Sequence, residues 1–307
     1  MGAGRGPRIP QTFPDLPVPS PGMRQIRRAA CNRGDAAAYS PATSMALKES
    51  PPHMSAELLE RHVHRRIAFE GACNCRDLGG LQTTDGRRTR TGMVYRSDAL
   101  ATLTVGDQAA LAELGVRAIY DLRTEDERLR HPNRLPVPPP VQHALGFIPR
   151  GNLDMFEAVN SGAWSPADTR RAMLSQYERL ILDHTACLAG VYRGLLREEG
   201  RPAVLHCASG KDRTGIASAV LLLAVGVGRQ TVIEDYVISN FQRRPVALFA
   251  EGAPADAVEQ IMCASADYLD TALQAAERSF GSFDDFLARG VGLTDLERIA
   301  LADLLVR

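Results

Sequence analysis

From Ile67 onward, short apolar runs alternate with amphipathic stretches. The runs "MVYRS" (93–97), "VRAIYDL" (116–122), "VQHALGF" (141–147) and "PAVLH" (202–206) are rich in β-branched and aromatic residues, and polar or turn residues bound them. They predict strands. "TVGDQAALAELG" (104–115) has a threonine cap, helical spacing and a closing glycine, and "TEDERLRH" (124–131) is a short helix with its acids first. "TRRAMLSQYERLIL" (169–182) and "HTACLAGVYRGLLRE" (184–198) carry apolar residues at three- and four-residue intervals, so both predict amphipathic helices. "TGIASAVLLLAVG" (214–226) predicts a further, buried helix, and 230–307 reads as nearly all helical, with breaks near 252–254, 281 and 290–292. Strands separated by helices predict an α/β fold: a mostly parallel central sheet flanked by helices, with a helical C-terminal third. There is no internal repeat.

Residues 1–52 behave differently. They hold nine of the nineteen prolines and show no sustained hydrophobic period. Such a segment buries too little apolar surface to offset its chain entropy, so it reads as a disordered extension, with one compact domain over 53–307.

Bulk charge narrows the partners. With 36 basic and 36 acidic side chains the net charge is zero, which argues against nucleic acid or an acidic membrane surface and makes any phosphate preference local. The longest apolar run, 216–227, is shorter than the roughly 20 residues of a membrane span. Two arginines near the N-terminus have no apolar core behind them, so no secretory signal is read and a cytoplasmic, monomeric protein is expected. The cysteines at 31, 73, 75, 187, 207 and 263 have the irregular spacing of reduced thiols. "CNC" (73–75) lacks a second Cys/His pair at zinc-like spacing, so neither a metal nor another cofactor is expected.

The candidate chemistry lies in "AVLHCASGKDRTGIASAVLLLAVGVG" (203–228), where a strand, a glycine turn and a helix start follow one another. Unpaired N–H groups and the helix dipole make such a turn an anion site. The nucleotide-binding pattern G-x-x-x-x-G-K-[ST] fails here: Leu205 stands at its first glycine and Asp212 at its Ser/Thr. What remains is Cys207, five residues, then Arg213. Backbone N–H groups of Ala208, Ser209 and Gly210 would cradle a phosphate while the Arg213 fork grips two of its oxygens. A cysteine at such a helix start favours its thiolate and is placed to attack phosphorus.

These residues resemble the signature of the cysteine-dependent protein-tyrosine phosphatases. With both Lys211 and Asp212 before the arginine, "HCASGKDRTG" is similar to one bacterial branch, the tyrosine/serine phosphatases with dual protein and phosphoinositide activity. "NCRDLGG" (74–80), "YRSDAL" (95–100), "YDLRTEDE" (120–127) and "EDYVISN" (234–240) resemble further motifs of that branch in the same order, over 69–307. The resemblance implies a phosphatase-like fold and metal-independent hydrolysis through a phosphocysteine. The implied substrates are phosphotyrosine proteins, with phosphoserine/threonine and phosphoinositides as an extension. A catalytically dead phospho-binding module and a rhodanese-like sulfurtransferase are the competing readings.

It also implies roles. Thr214 caps the helix and eases departure of the thiolate, His206 orients the loop, and Lys211 meets a second phosphate or an acidic group. Arg76 and Asp77 support the loop from behind, and Asp121 forms a structural ion pair with Arg123. Two aspartates compete as general acid, Asp212 inside the loop and Asp154 after the strand predicted over 141–147; reach favours Asp212. Cys75 stands where the branch has Phe and reads as filling an apolar gap. The competing expectation is that Cys73 or Cys75 captures an oxidised Cys207 as a disulfide.

Overall fold

The computed structural model describes Glu60 and residues 62–147, 152–243 and 249–307, which lie within one compact unit, Pro52–Arg307. The extension expected over 1–52 lies outside the described residues. Five strands form one sheet in the order β1-β2-β5-β3-β4: β1 Arg76–Asp77, β2 Val94–Ser97, β3 Ala118–Asp121, β4 Val141–Ala144 and β5 Ala203–His206. β1 is antiparallel to β2, and all other neighbours are parallel. The four expected strands are present. β1 went unpredicted because Arg-Asp carries no hydrophobic period.

β2, β3 and β5 are buried along their whole length, so that even their polar carboxyl ends, Arg96 and Ser97, Asp121 and His206, lie inside the fold. Alternation sorts their side chains onto two cores. Val94, Ala118, Tyr120, Ala203 and Leu205 enter the larger one, while Tyr95, Ile119 and Val204 enter a smaller one with Phe69, Cys75 and Leu111. β4, mostly exposed, is the edge. Register aligns Ser97, His206 and Asp121, so the carboxyl ends of β2, β5 and β3 finish in one row. In open parallel sheets that rim is where ligands bind.

Capping boxes start the helices that flank this rim. Thr104 and Asp107 begin Val105–Glu113, and Thr124 and Glu127 begin Glu125–Arg130. The helix Asp212–Ala224 leaves β5 through the candidate loop and is buried over most of its length. Beside it lie Pro166–Leu182 and Thr185–Leu196, then the helical C-terminal third: Arg229–Val237, Ala255–Met262, Ala266–Phe280 and Asp295–Leu305. Chain breaks fall at Gly252, Gly281 and Gly292, while Gly290 stays within the helical turn Phe286–Val291. A further break at 263–265 carries no glycine or proline and left no sequence signal. Among the described residues no helix is long and apolar enough to cross a membrane.

Candidate active site

Cys207 follows β5 directly, is buried, and is succeeded by exposed Ala208 and Ser209. Gly210 then turns the chain with φ at +67°, and a Cβ there would stand 2.7 Å from backbone atoms of Ser97 and Asp98. Only glycine combines that left-handed conformation with so close an approach. Three neighbours hold the loop by its carbonyls: Ala99 N–H donates to Ala208 O at 3.1 Å, Asn74 Nδ2 to Ser209 O at 3.0 Å and Arg96 to Gly210 O at 2.8 Å. Across a trans peptide the carbonyl and the next N–H point in opposite directions. Anchoring the oxygens therefore turns the N–H groups of Ser209, Gly210 and Lys211 to the other side, beside the N-terminus of Asp212–Ala224. The cradle follows from how the loop is tied.

Arg213 is buried, and Glu127 receives both arms of its guanidinium, at 2.6 and 2.7 Å; a third hydrogen bond reaches Leu122 O at 3.1 Å. Burial works against the Arg213 charge, but the Glu127 hydrogen bonds and the nearby Cys207 and carboxylates more than offset it, so its pKa rises. Burial likewise disfavours ionised Glu127, yet Arg213 brings its carboxyl down to about 2. Glu127 also caps its own helix through Thr124 N–H at 2.7 Å, so one carboxylate fixes both the helix start and the arginine fork.

Asp121 pairs with Arg123, which also reaches Asn133 Oδ1 and His131 O, and His206 Nε2 stands 3.3 Å from the same carboxylate. Burial would raise the pKa of Asp121; His206 and Arg123 hold it well below the usual carboxylate range. His206 is fully buried, and its Nδ1 lies 3.4 Å from Cys207 O. Its polar contacts are with Asp121 at the end of β3, with the loop backbone and with Asn133 Nδ2 at 3.4 Å.

Asp212 opens the loop helix with its side chain partly exposed. Tyr177 Oη donates to its Oδ1 at 2.6 Å, and Lys211 Nζ lies 3.3 Å from the same oxygen. Lys211 is buried, donating to Ile261 O and, at 3.1 Å, to Cys263 O at the end of Ala255–Met262. Thr214 is fully buried, and its hydroxyl has no hydrogen-bond partner among the described residues. Asp154 sits exposed in the first turn of Asn152–Asn160.

Behind the loop, three buried arginines converge on Asp235: Arg65 at 2.7 Å, Arg76 at 3.2 Å and Arg96 at 2.7 Å. Burial would raise the Asp235 pKa, but the three guanidiniums hold it far below the carboxylate range. Burial and then Arg96 push the Arg76 guanidinium down. Arg76 donates to Asn74 Oδ1, and Asn74 in turn holds Ser209 O, so Arg76 acts on the loop at one remove. Asp77 turns elsewhere, accepting from Gly79 and Gly92 N–H at 2.7 Å each. Cys75 lies in the smaller apolar core, where burial pushes its thiol up to about 12. The thiol of Cys73 donates to Asp98 at 3.3 Å and to Gln242 O at 3.1 Å. Among the described residues, no group of three or more His, Cys, Asp or Glu side chains is placed to hold a metal ion.

The structure thus brings Cys207, Gly210, Lys211, Asp212 and Arg213 together and adds residues that the sequence reading passed over. Glu127 looked like one acid among several at a helix start, and Tyr177 like one apolar position of an amphipathic helix. Arg96, Asn74 and Asp235 sit inside motifs noted for resemblance, which could have flagged them.

Known proteins resemble this chain over most of its length. The family model described as "Tyrosine phosphatase family" matches residues 67–307. A candidate tyrosine-protein phosphatase of Cupriavidus necator is 31% identical over 228 residues, 72% of this chain and 82% of that protein. The triple specificity protein phosphatase PtpB of Mycobacterium tuberculosis is 28% identical over 265 residues, 73% of this chain and 93% of its own.

Proposed function

The chain belongs to the tyrosine phosphatase family and is a phosphatase, and we propose that it cleaves phosphotyrosine in proteins through a phosphocysteine on Cys207. The observation that carries this reading is the loop itself. A buried cysteine directly follows the central strand, carbonyls tied outward leave N–H groups for an anion, and Glu127 holds both arms of the Arg213 guanidinium.

In the first step the Cys207 thiolate attacks phosphorus in line. The S–P bond forms as the P–O bond to tyrosine breaks, and the leaving oxygen takes the proton of Asp212. Arg213 and the loop N–H groups hold the equatorial oxygens, where charge is spread in the transition state. In the second step water attacks the phosphocysteine, Asp212 takes the water's proton, and phosphate leaves as the thiolate is restored. The buried hydroxyl of Thr214 is a donor available to that departing sulfur.

A wider range, with phosphoserine/threonine and phosphoinositides, is supported by the surplus charge of Lys211 and by the "triple specificity" in a relative's name. To meet a second phosphate, Lys211 must leave the oxygens of Ile261 and Cys263.

The test is turnover of p-nitrophenyl phosphate with EDTA present, followed by a panel of phosphopeptides and phosphoinositides. Wild type is expected to turn over unaffected by EDTA. Cys207→Ser and Arg213→Ala are each expected to lose at least about a thousandfold, since no neighbour replaces either group. Retained activity in Cys207→Ser, or dependence on metal, defeats the mechanism.

A further inference from the structure

Asp212 is held from a direction that the loop does not supply. Tyr177, on the buried face of Pro166–Leu182, is itself fully buried and lies 35 residues from Asp212 in sequence. Its hydroxyl meets Asp212 Oδ1 at 2.6 Å and the Tyr236 hydroxyl at 2.6 Å. Asp212 carries no proton-donating group when ionised, so Tyr177 donates to it and Tyr236 donates to Tyr177. Burial and then the neighbouring Asp212 charge hold the Tyr177 phenol far above its ordinary pKa, so it keeps the proton it donates. The Tyr177 ring is wedged against Tyr236 edge-on at 6.2 Å and tilted over Tyr268 at 5.4 Å, so the hydroxyl has little room to move.

Lys211, the other partner of this carboxyl, also uses Oδ1. Among the described residues the hydrogen bond from Tyr177 and the closest approach of Lys211 both fall on that one oxygen, which leaves Oδ2 to carry the transferred proton. A carboxyl on a short side chain otherwise rotates freely about χ2, and each wrong rotamer removes the donor from the leaving oxygen.

We propose that Tyr177, backed by Tyr236, is a positioning residue: it pins Asp212 by Oδ1 so that Oδ2 faces the oxygen leaving the phosphate. The inference rests on Asp212 being the general acid, and the experiment separates the two claims.

The experiment measures kcat and KM across aryl phosphates of graded leaving-group pKa for wild type, Tyr177→Phe, Asp212→Asn, Asp154→Asn and the double variant Tyr177→Phe/Asp212→Asn. Phenylalanine keeps the ring and its packing, and circular dichroism and melting confirm the fold. A hydrogen bond to a charged group bears on rate by about tenfold or more. Tyr177→Phe is therefore expected to lower kcat about tenfold for phenyl phosphate and less than about threefold for p-nitrophenyl phosphate, with KM unchanged. In the Asp212→Asn background the same change is expected to cost nothing further, because its only route is through Asp212. A merely structural role would lower all substrates alike and add to the Asp212→Asn loss. Selective loss in Asp212→Asn with a flat or additive Tyr177→Phe overturns this inference alone. Selective loss in Asp154→Asn, with Asp212→Asn uniform, overturns the acid assignment and the inference with it.

Discussion

Arg213 is paired with Glu127, and the geometry of that pair explains why an arginine stands before so apolar a helix. A free guanidinium there would swing through many rotamers, whereas the two parallel hydrogen bonds to Glu127 orient its plane before substrate arrives. Glu127→Gln keeps the size and one acceptor but removes the charge. It is expected to reduce kcat/KM roughly tenfold, the value of one hydrogen bond to a charged group, with much of the loss in KM because Arg213 grips ground state and transition state alike. Steady-state kinetics on a phosphotyrosine peptide check this. A change confined to kcat with KM unmoved would show that the pair serves the transition state only.

At the scale of elements, Asp235 is the junction. From Arg229–Val237 it binds Arg65, Arg76 on β1 and Arg96 on β2, and Arg96 continues to Gly210 O in the loop. Three buried guanidiniums share one carboxylate, so its loss strands charges rather than merely deleting contacts. Breaking a buried ion pair from one side costs about 3–5 kcal/mol. For a domain of this size that lowers Tm by roughly 10 °C. Asp235→Asn is expected to show such a drop in thermal unfolding, and its residual folded fraction should have a weakened hold on phosphate because Arg96 is no longer oriented. A melting curve within a degree or two of wild type would contradict the account.

The whole molecule inherits a pH profile from these pairs. The folded-state pKa values of Asp121, Glu127 and Asp235 all lie below those of the unfolded chain, with Glu127 at about 2. Below roughly pH 4 the unfolded chain binds protons on these carboxylates while the folded chain does not, so stability falls as pH falls. Their contribution is fully present above about pH 5 and is lost progressively from about pH 4 down through the folded values. Asp77, whose carboxyl burial raises, works in the opposite sense. Melting temperatures are therefore expected to be flat from pH 5 to 7 and to drop steeply below pH 4, and Glu127→Gln should show a shallower drop. An acid limb as steep in Glu127→Gln as in wild type would remove that pair from the explanation.

Local signals carried the fold. The runs at 93–97, 116–122, 141–147 and 202–206, the threonine cap before 105, the acids that open 124–131, and the spacing along 169–182 all act within a few residues, so the sequence alone determined the α/β order and most element positions. The proposed nucleophile and arginine could be named from sequence for the same reason, because Cys207 through Arg213 is a single turn of chain. Only the tertiary structure decided what surrounds that turn. Glu127 meets Arg213 across 86 residues, Arg65 meets Asp235 across 170, and Tyr177 meets Asp212 from another helix. A charged or hydroxyl-bearing side chain on a helix is exposed by default, and the hydrophobic spacing of its own segment does not show which distant group it meets. Its role arises when register lines up β2, β5 and β3 at one rim and the helices close over it. That closure also placed Lys211 on the carbonyls of Ile261 and Cys263, a partnership that no short-range pattern encodes, because it depends on where a distant helix ends.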